Sequence, residues 1–286
     1  MMTGIETRHV DPSNAEQARA WDGDEGAYWA RHADLFEQST GRYDGRMLEA
    51  AGLSETSRVI DVGCGSGDTA RAAAAAAPDG SVLGIDLSQD LVEVARQRAE
   101  RAGLANLRFA LGDAQIYPFE PGSADCVISK TGAIFFGDPV AAFGNLARAL
   151  RPGGRMSLLV WQPAEDNEWF LDIATALSGG RQLPSPPPDA PGPFSLSNPD
   201  RARARLEAGG FEDIAFEDAR EPMGFGPDAD TAYDFIIGLL SWMLDGLDDA
   251  GRAHALDELR STVAAHEGED GVQLGSAMWL VTAVRP

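Results

Sequence analysis

The chain has 286 residues, 44% of them hydrophobic and 24% charged, the composition of an ordered globular protein with one large core or a core carrying an insertion. Asp and Glu outnumber Lys and Arg by 45 to 23, and the resulting formal charge of −22 repels phosphate backbones and anionic lipid, which argues against nucleic-acid or membrane-surface binding. Two cysteines support neither a disulfide framework nor a zinc cluster, no apolar run reaches the roughly 18 to 20 residues of a membrane span, and no signal-peptide core opens the chain, so a cytoplasmic, metal-free protein is expected.

Residues 15–50 carry Trp21, Tyr28, Trp29, His32, Phe36 and Tyr43 at three, four and seven spacings among acids and glycines, which predicts a helical N-terminal extension over 1–50. Strands and helices then alternate. R-V-I-D-V (58–62) is a first strand, followed by an Ala-rich helix that P-D-G stops. S-V-L-G-I-D is a second, followed by a helix over 89–101 with Ser88 as its cap and Gly103 as its stop. L-R-F-A-L and A-D-C-V-I-S are the third and fourth, and the next helix has Asp138 as cap and Pro139 in its first turn. R-P-G-G ends that helix, and R-M-S-L-L-V-W is a fifth strand. Such alternation predicts an α/β fold, a doubly wound, mostly parallel sheet.

The second half, 166–286, continues the same domain with substrate-side insertions. A Pro-rich segment over 183–194 reads as a loop, Asn198 caps a helix that Gly209 and Gly210 end, and a sixth strand starts at Phe211. Two helices near 230–246 and 248–265 precede a closing strand, A-M-W-L-V-T-A-V. The first of these helices is apolar on nearly every face, which suits core or lid packing, with a homodimer contact as the alternative.

A glycine loop between a first strand and a helix is a ligand site, because glycines admit close backbone approach and the helix start offers unpaired N–H groups. Here Gly63, Gly65 and Gly67 give G-x-G-x-G, and Asp68 stands where the dinucleotide fingerprint G-x-G-x-x-G has its third glycine. A carboxylate there repels a pyrophosphate. It suits a ligand that carries an ammonium and a cationic sulfur.

The run D-V-G-C-G-S-G (61–67) resembles the first motif of class I S-adenosylmethionine-dependent methyltransferases. The resemblance continues with Asp86 in G-I-D-L-S, Asp113 in G-D-A-Q and R-A-L-R-P-G-G-R before the fifth strand, covering roughly 50–165, and within the class is to small-molecule enzymes of the ubiquinone and menaquinone biosynthesis type. It implies a Rossmann-like sheet of seven strands with the last antiparallel, an S-adenosylmethionine-binding core over 51–165, S-adenosylhomocysteine as product, and a small-molecule acceptor methylated on O, N or C. It further implies that Asp61 faces the methionine ammonium, that Gly63 to Gly67 cradle methionine and ribose, and that Asp86, with Leu87 beside it, binds the ribose. Asp113 and the N–H of Ala114 would read adenine, and Ser129 would lie beside the transferred methyl.

The catalytic candidates are Tyr28 and His32, one helical turn apart in an extension that folds over the site in similar enzymes, and Lys130, the one lysine of the chain. A cation beside the sulfonium is unfavourable, so Lys130 is expected to bind a substrate anion or pair with an acid. An N-P-P-Y element, which would indicate methylation of nucleic acid or protein nitrogen, is absent. Two other readings are a nicotinamide-dependent oxidoreductase and a non-methylating S-adenosylmethionine-binding protein.

Overall fold

The computed structural model describes residues 9–183, 187 and 190–286. Four helices precede the sheet: α1 (Ala15–Trp21), α2 (Asp24–Arg31), α3 (Ala33–Thr40) and α4 (Asp44–Ala51). They are part of the core rather than an appendage. Tyr43 and Met47 are fully buried, the Tyr43 hydroxyl lies 2.7 Å from Ser276 Oγ, and Ser157 Oγ donates to the Met47 carbonyl at 3.0 Å.

The strands β1 (Arg58–Val62), β2 (Ser81–Asp86), β3 (Leu107–Leu111), β4 (Ala124–Lys130), β5 (Leu150–Trp161), β6 (Glu212–Gly226) and β8 (Gly271–Val284) lie in the order β3-β2-β1-β4-β5-β8-β6. A two-residue β7 (Glu267–Gly268) pairs only with β8. β1 to β5 run parallel, and β8 inserts antiparallel between β5 and β6, so the predicted doubly wound sheet with an antiparallel last strand is present. The chain builds outward from β1 to β3, then returns to place β4 on the other side of β1. The crevice that ligands of such sheets use therefore opens beyond the carboxyl ends of β1 and β4.

Helix starts follow the expected caps. Ser88 accepts from the Leu91 N–H ahead of α6 (Gln89–Arg101), Asp138 from Ala141 ahead of α7 (Pro139–Ala149) and Asn198 from Arg201 ahead of α9 (Pro199–Ala208). α5 (Asp68–Ala76) starts directly from the glycine loop.

Four features differ from the sequence reading. β5 begins at Leu150, so R-P-G-G lies inside a strand, where Gly153 at φ +73° and a register shift against β4 accommodate it. A helix not foreseen, α8 (Glu168–Ser178), follows β5, its start tied to β8 where Asn167 Oδ1 accepts from the Ala277 N–H. The predicted helix over 230–246 is α10 (Ala229–Leu240) followed by a short 3-10 turn, while α11 (Asp249–Ala265) is as expected. β6 and β8 are longer than read. In the Pro-rich stretch, 184–186 and 188–189 fall outside the described residues.

The loop glycines have separate reasons. Gly63, Gly65 and Gly67 all have positive φ, at +64°, +51° and +84°. A Cβ on Gly63 would lie 2.5 Å from Gly132 Cα, whereas one on Gly65 meets no heavy atom within 4 Å. Gly65→Ala should therefore cost about 1–2 kcal/mol from its left-handed backbone alone, and Gly63→Ala at least twice that, because backbone on the far side cannot yield. Urea midpoints of the two variants check this, and an equal or smaller loss in Gly63→Ala would contradict the packing.

Candidate active site

The loop that leaves β1 is fixed by main-chain hydrogen bonds. The N–H groups of Gly63 and Cys64 donate to the Ile85 carbonyl at 2.9 and 3.2 Å, and Gly67 N–H to the Cys64 carbonyl at 2.8 Å. At the end of β2, Asp86 Oδ2 accepts from Gly65 N–H at 2.8 Å and Oδ1 from Ser88 N–H at 2.9 Å. Asp86 thus locks the loop while lying on the wall of a cleft.

That one cleft runs along the strand ends. Gly63, Gly65, Asp86 and Leu87 lie on its wall, with Asp113 and Ala114 among the residues beyond β3, Lys130 at the end of β4 and Thr131 and Gly132 just beyond it. Asp61, Gly67 and Ser129 do not. Gly67 packs instead on Phe109 and Ala95, and Ser129 Oγ is used up, donating to the Val62 carbonyl at 2.6 Å and accepting from Ala133 N–H at 3.0 Å. Asp61 lies behind the loop, with no exposed surface. Thr69 Oγ1 donates to its Oδ2 at 2.6 Å, and its Oδ1 has no partner. Burial pushes this carboxyl up to about 7, against the Thr69 hydrogen bond and the field of Lys130.

Lys130 sits between carboxylates from two other elements, its Nζ 2.7 Å from Asp44 Oδ1 and 3.4 Å from Asp68 Oδ2. It pairs with acids, one of its two expected roles. Burial raises the Asp44 carboxyl as well. Thr131 next to it holds φ +57°, a strained conformation for a β-branched residue, and its hydroxyl donates to the Lys130 carbonyl at 2.8 Å. The ionic contacts continue outward: Arg71 bridges Asp68 and Glu37, and Arg98 bridges Glu37 and Asp34. Acids of α3 and α4 are thereby tied to cations of α5, α6 and β4.

The roof comes from the N-terminal extension, but not from the residues singled out there. Tyr28 and His32 stack on each other at 4.1 Å, the Tyr28 hydroxyl donates to the Phe235 carbonyl at 2.9 Å, and neither reaches the cleft. They turn away toward α10. The neighbouring face presents Trp29, Ala33, Phe36 and Glu37 instead, with Trp29 stacked on Phe36 at 3.4 Å. Phe36 reaches α10 as well, its ring 4.7 Å from that of Phe235, so it joins the roof to that helix while Tyr28 and His32 contact α10 without lining the cleft. The expected lid over 231–244 backs this roof through Tyr28, and no described residue beyond Phe136 lines the cleft.

Asp113 is 1% exposed and already engaged, accepting from Asp11 N–H, Asn14 Nδ2 and Gln115 N–H, each at 3.0 Å. Asn14 was not anticipated. The Cys64 thiol, although in the loop, is held neutral by burial, which raises it well above its usual value. Away from the cleft, Glu168, Asp172 and His266 approach one another, with His266 Nε2 3.2 Å from Asp172 Oδ2.

A carboxyl raised in the folded state lends stability that is present below the unfolded value of about 3.9 and is lost as pH rises through the folded one. Asp61→Asn mimics the protonated form, so its thermal stability relative to wild type should grow from pH 5 to pH 8. A difference that does not change with pH would contradict the burial of Asp61.

Comparison with known proteins agrees with this geometry. Residues 59–154 match a family described as methyltransferase domain. The chain is 35% identical over 122 residues to a demethylmenaquinone methyltransferase of Thermus thermophilus, covering 43% of this chain and 55% of that protein, so it spans about half the length of this relative. It is 30% identical over 206 residues to O-methyltransferase rstn1 of Aspergillus nomiae, covering 69% of this chain and 84% of that one. The crystal structure of YcgJ from Bacillus subtilis shares the fold, with a TM-score of 0.56 at 23% identity over 86% of this chain and 98% of that one. Fold, strand-end acids and relatives together place the chain in the class I S-adenosylmethionine-dependent methyltransferase family.

Proposed function

We propose that the chain transfers a methyl group from S-adenosylmethionine to O, N or C of a small, partly apolar metabolite, as a cytoplasmic biosynthetic enzyme with no nucleic-acid or membrane partner. The observation that carries this is one cleft with Gly65, Asp86 and Asp113 in a row on its wall and, among the described residues, a single cation, Lys130, already paired with acids. Such a wall attracts a ligand with two positive centres and repels a pyrophosphate. No described helix is long and apolar enough to cross a membrane.

The residues present fit the cofactor. Gly65 leaves open space where a Cβ would stand, Asp86 faces the cleft from the end of β2, and the Asp61 Oδ1 that lacks a partner lies behind the loop at the end where an ammonium would come. When bound, the cofactor supplies a methyl group activated by a cationic sulfur. The chain's own residues then bind, orient and exclude water: Asp86 holds ribose, Asp113 and Ala114 read adenine, and Trp29 and Phe36 close the site from above. Positioning of this kind supplies most of the acceleration of an in-line displacement. With Tyr28 and His32 facing α10, Lys130 and its two acids are the candidates for contact with the acceptor. The O-methyltransferase relative supports an acceptor oxygen as the first to be tried.

Calorimetry with S-adenosylhomocysteine and with NAD decides between this reading and an oxidoreductase: binding of the first alone is expected, and binding of the dinucleotide alone would overturn it. Gly65→Val and Asp86→Ala should each weaken S-adenosylhomocysteine binding tenfold or more, about 1.4 kcal/mol. Wild-type affinity should also fall as pH drops below about 7, where Asp61 takes up a proton that an ammonium must displace. Asp61→Asn should flatten that profile. Methylated product, detected by mass spectrometry over a panel of hydroxylated and amino acceptors, separates a transferase from a non-methylating binder.

A further inference from the structure

The N-terminal arm is anchored at the end of the cleft assigned to adenine. Asn14, 2% exposed, donates from Nδ2 to Asp113 Oδ1 at 3.0 Å and accepts at Oδ1 from Gly137 N–H at 3.2 Å, so its one side chain spans from the end of β3 to the loop before α7. Asp11 N–H donates to the other carboxylate oxygen at 3.0 Å, and Gln115 Nε2 donates to Ser13 Oγ at 2.9 Å. Gly137 lets the arm dock, because a Cβ there would stand 2.2 Å from the Ser13 carbonyl oxygen. Asn14 is also on the wall of the cleft itself.

A carboxylate offers about four acceptor sites. Asp113 has three filled by N–H donors and, among the described residues, forms no salt bridge. One acceptor site remains, and its direction is set by the other three. An exocyclic amino group, as on adenine, donates to it. A ring carbonyl in the same place puts two acceptors face to face, and a site built around a buried acceptor rejects such an analogue strongly because the acceptor is left unpaired.

We propose that Asn14 is a positioning residue that sets the adenine selectivity of the site, by holding the Asp113 carboxylate with its free acceptor site toward the purine amino group and by closing the N-terminal arm over that end of the cleft. The arm and the purine share one carboxylate. The arm is therefore a working part of the cofactor site, and its release accompanies exchange of the bound nucleoside. This rests on the assignment of the cleft to S-adenosylmethionine.

The test is the ratio of affinities for S-adenosylhomocysteine and S-inosylhomocysteine, which differ at the purine amino group, measured by calorimetry on the full chain. Wild type should prefer the adenosyl compound by tenfold or more. In Asn14→Ala the preference should shrink to within about threefold, and stopped-flow dissociation of S-adenosylhomocysteine should quicken at least fivefold. Gly137→Ala, which lifts the arm without touching Asp113, should shift both readouts the same way and guards against a folding defect peculiar to the first variant. Circular dichroism of both variants without ligand confirms the fold. If wild type discriminates and both folded variants keep its ratio, the inference is wrong while the cofactor assignment stands. Failure of wild type to bind either compound would remove the assignment itself.

Discussion

The ends of β1 and β4 meet with no side chain between them, and the rest of the site depends on that contact. Gly63 and Gly132 approach so closely that a Cβ on either would fall inside backbone of the other strand's loop. The closeness lets Ser129 reach the Val62 carbonyl, and Gly63 and Cys64 share the Ile85 carbonyl of the strand on the other side of β1. With those three strand ends fixed, Asp86 is placed to take the Gly65 N–H. A cleft whose floor is main chain follows, and main chain is a floor that a ligand can approach without displacing side chains.

The cover is held by two different physical terms. Toward the sheet, Tyr43 and Met47 of the extension are fully buried, worth roughly 1.5–3 kcal/mol for a side chain such as Met. Toward the cleft the ties are ionic, running from Asp34 and Glu37 through Arg98 and Arg71 to Asp68, Lys130 and Asp44. Exposed pairs of this sort contribute little each, but Arg98 and Lys130 are only 13% and 12% exposed, and neither has water enough to replace its partners. The extension is thus fastened firmly at its back and by charge at its front. The charges that fasten it leave an acid-rich wall with no spare cation among the described residues, which is the electrostatic character expected of a site for a sulfonium and an ammonium.

What the sequence made legible is what local chemistry decides. The glycine run, the caps Ser88, Asp138 and Asn198, and the acids ending β2 and β3 are each specified by neighbours a few residues away, and all fall where they were read. Contacts made at long range were not legible. Tyr28 and His32 looked as suitable as Trp29 and Phe36, because a helical face can be identified from spacing while the partner it turns toward cannot. Asp113 was read as an adenine ligand from its place after β3, yet nothing in G-D-A-Q shows that Asn14, ninety-nine positions earlier, occupies one of its oxygens. Asp61 offers the reverse lesson: the motif marks the residue, but its full burial behind the loop and its unpartnered Oδ1 belong to the folded chain. α8 was missed because E-W-F-L-D-I-A-T-A-L-S is apolar on most sides, and such a run has no clean period until its neighbours are known.

The proposed function requires the cleft beyond β1 and β4 to hold S-adenosylmethionine along its length. A crystal structure of the chain with S-adenosylhomocysteine tests it most directly. Adenine is expected against Gly112 to Ala114 with its amino group on Asp113, both ribose hydroxyls on Asp86, and the amino-acid end over Gly65 toward Asp68 and Lys130. Electron density for the ligand elsewhere on the molecule, or lying reversed with its purine at Lys130, would contradict it.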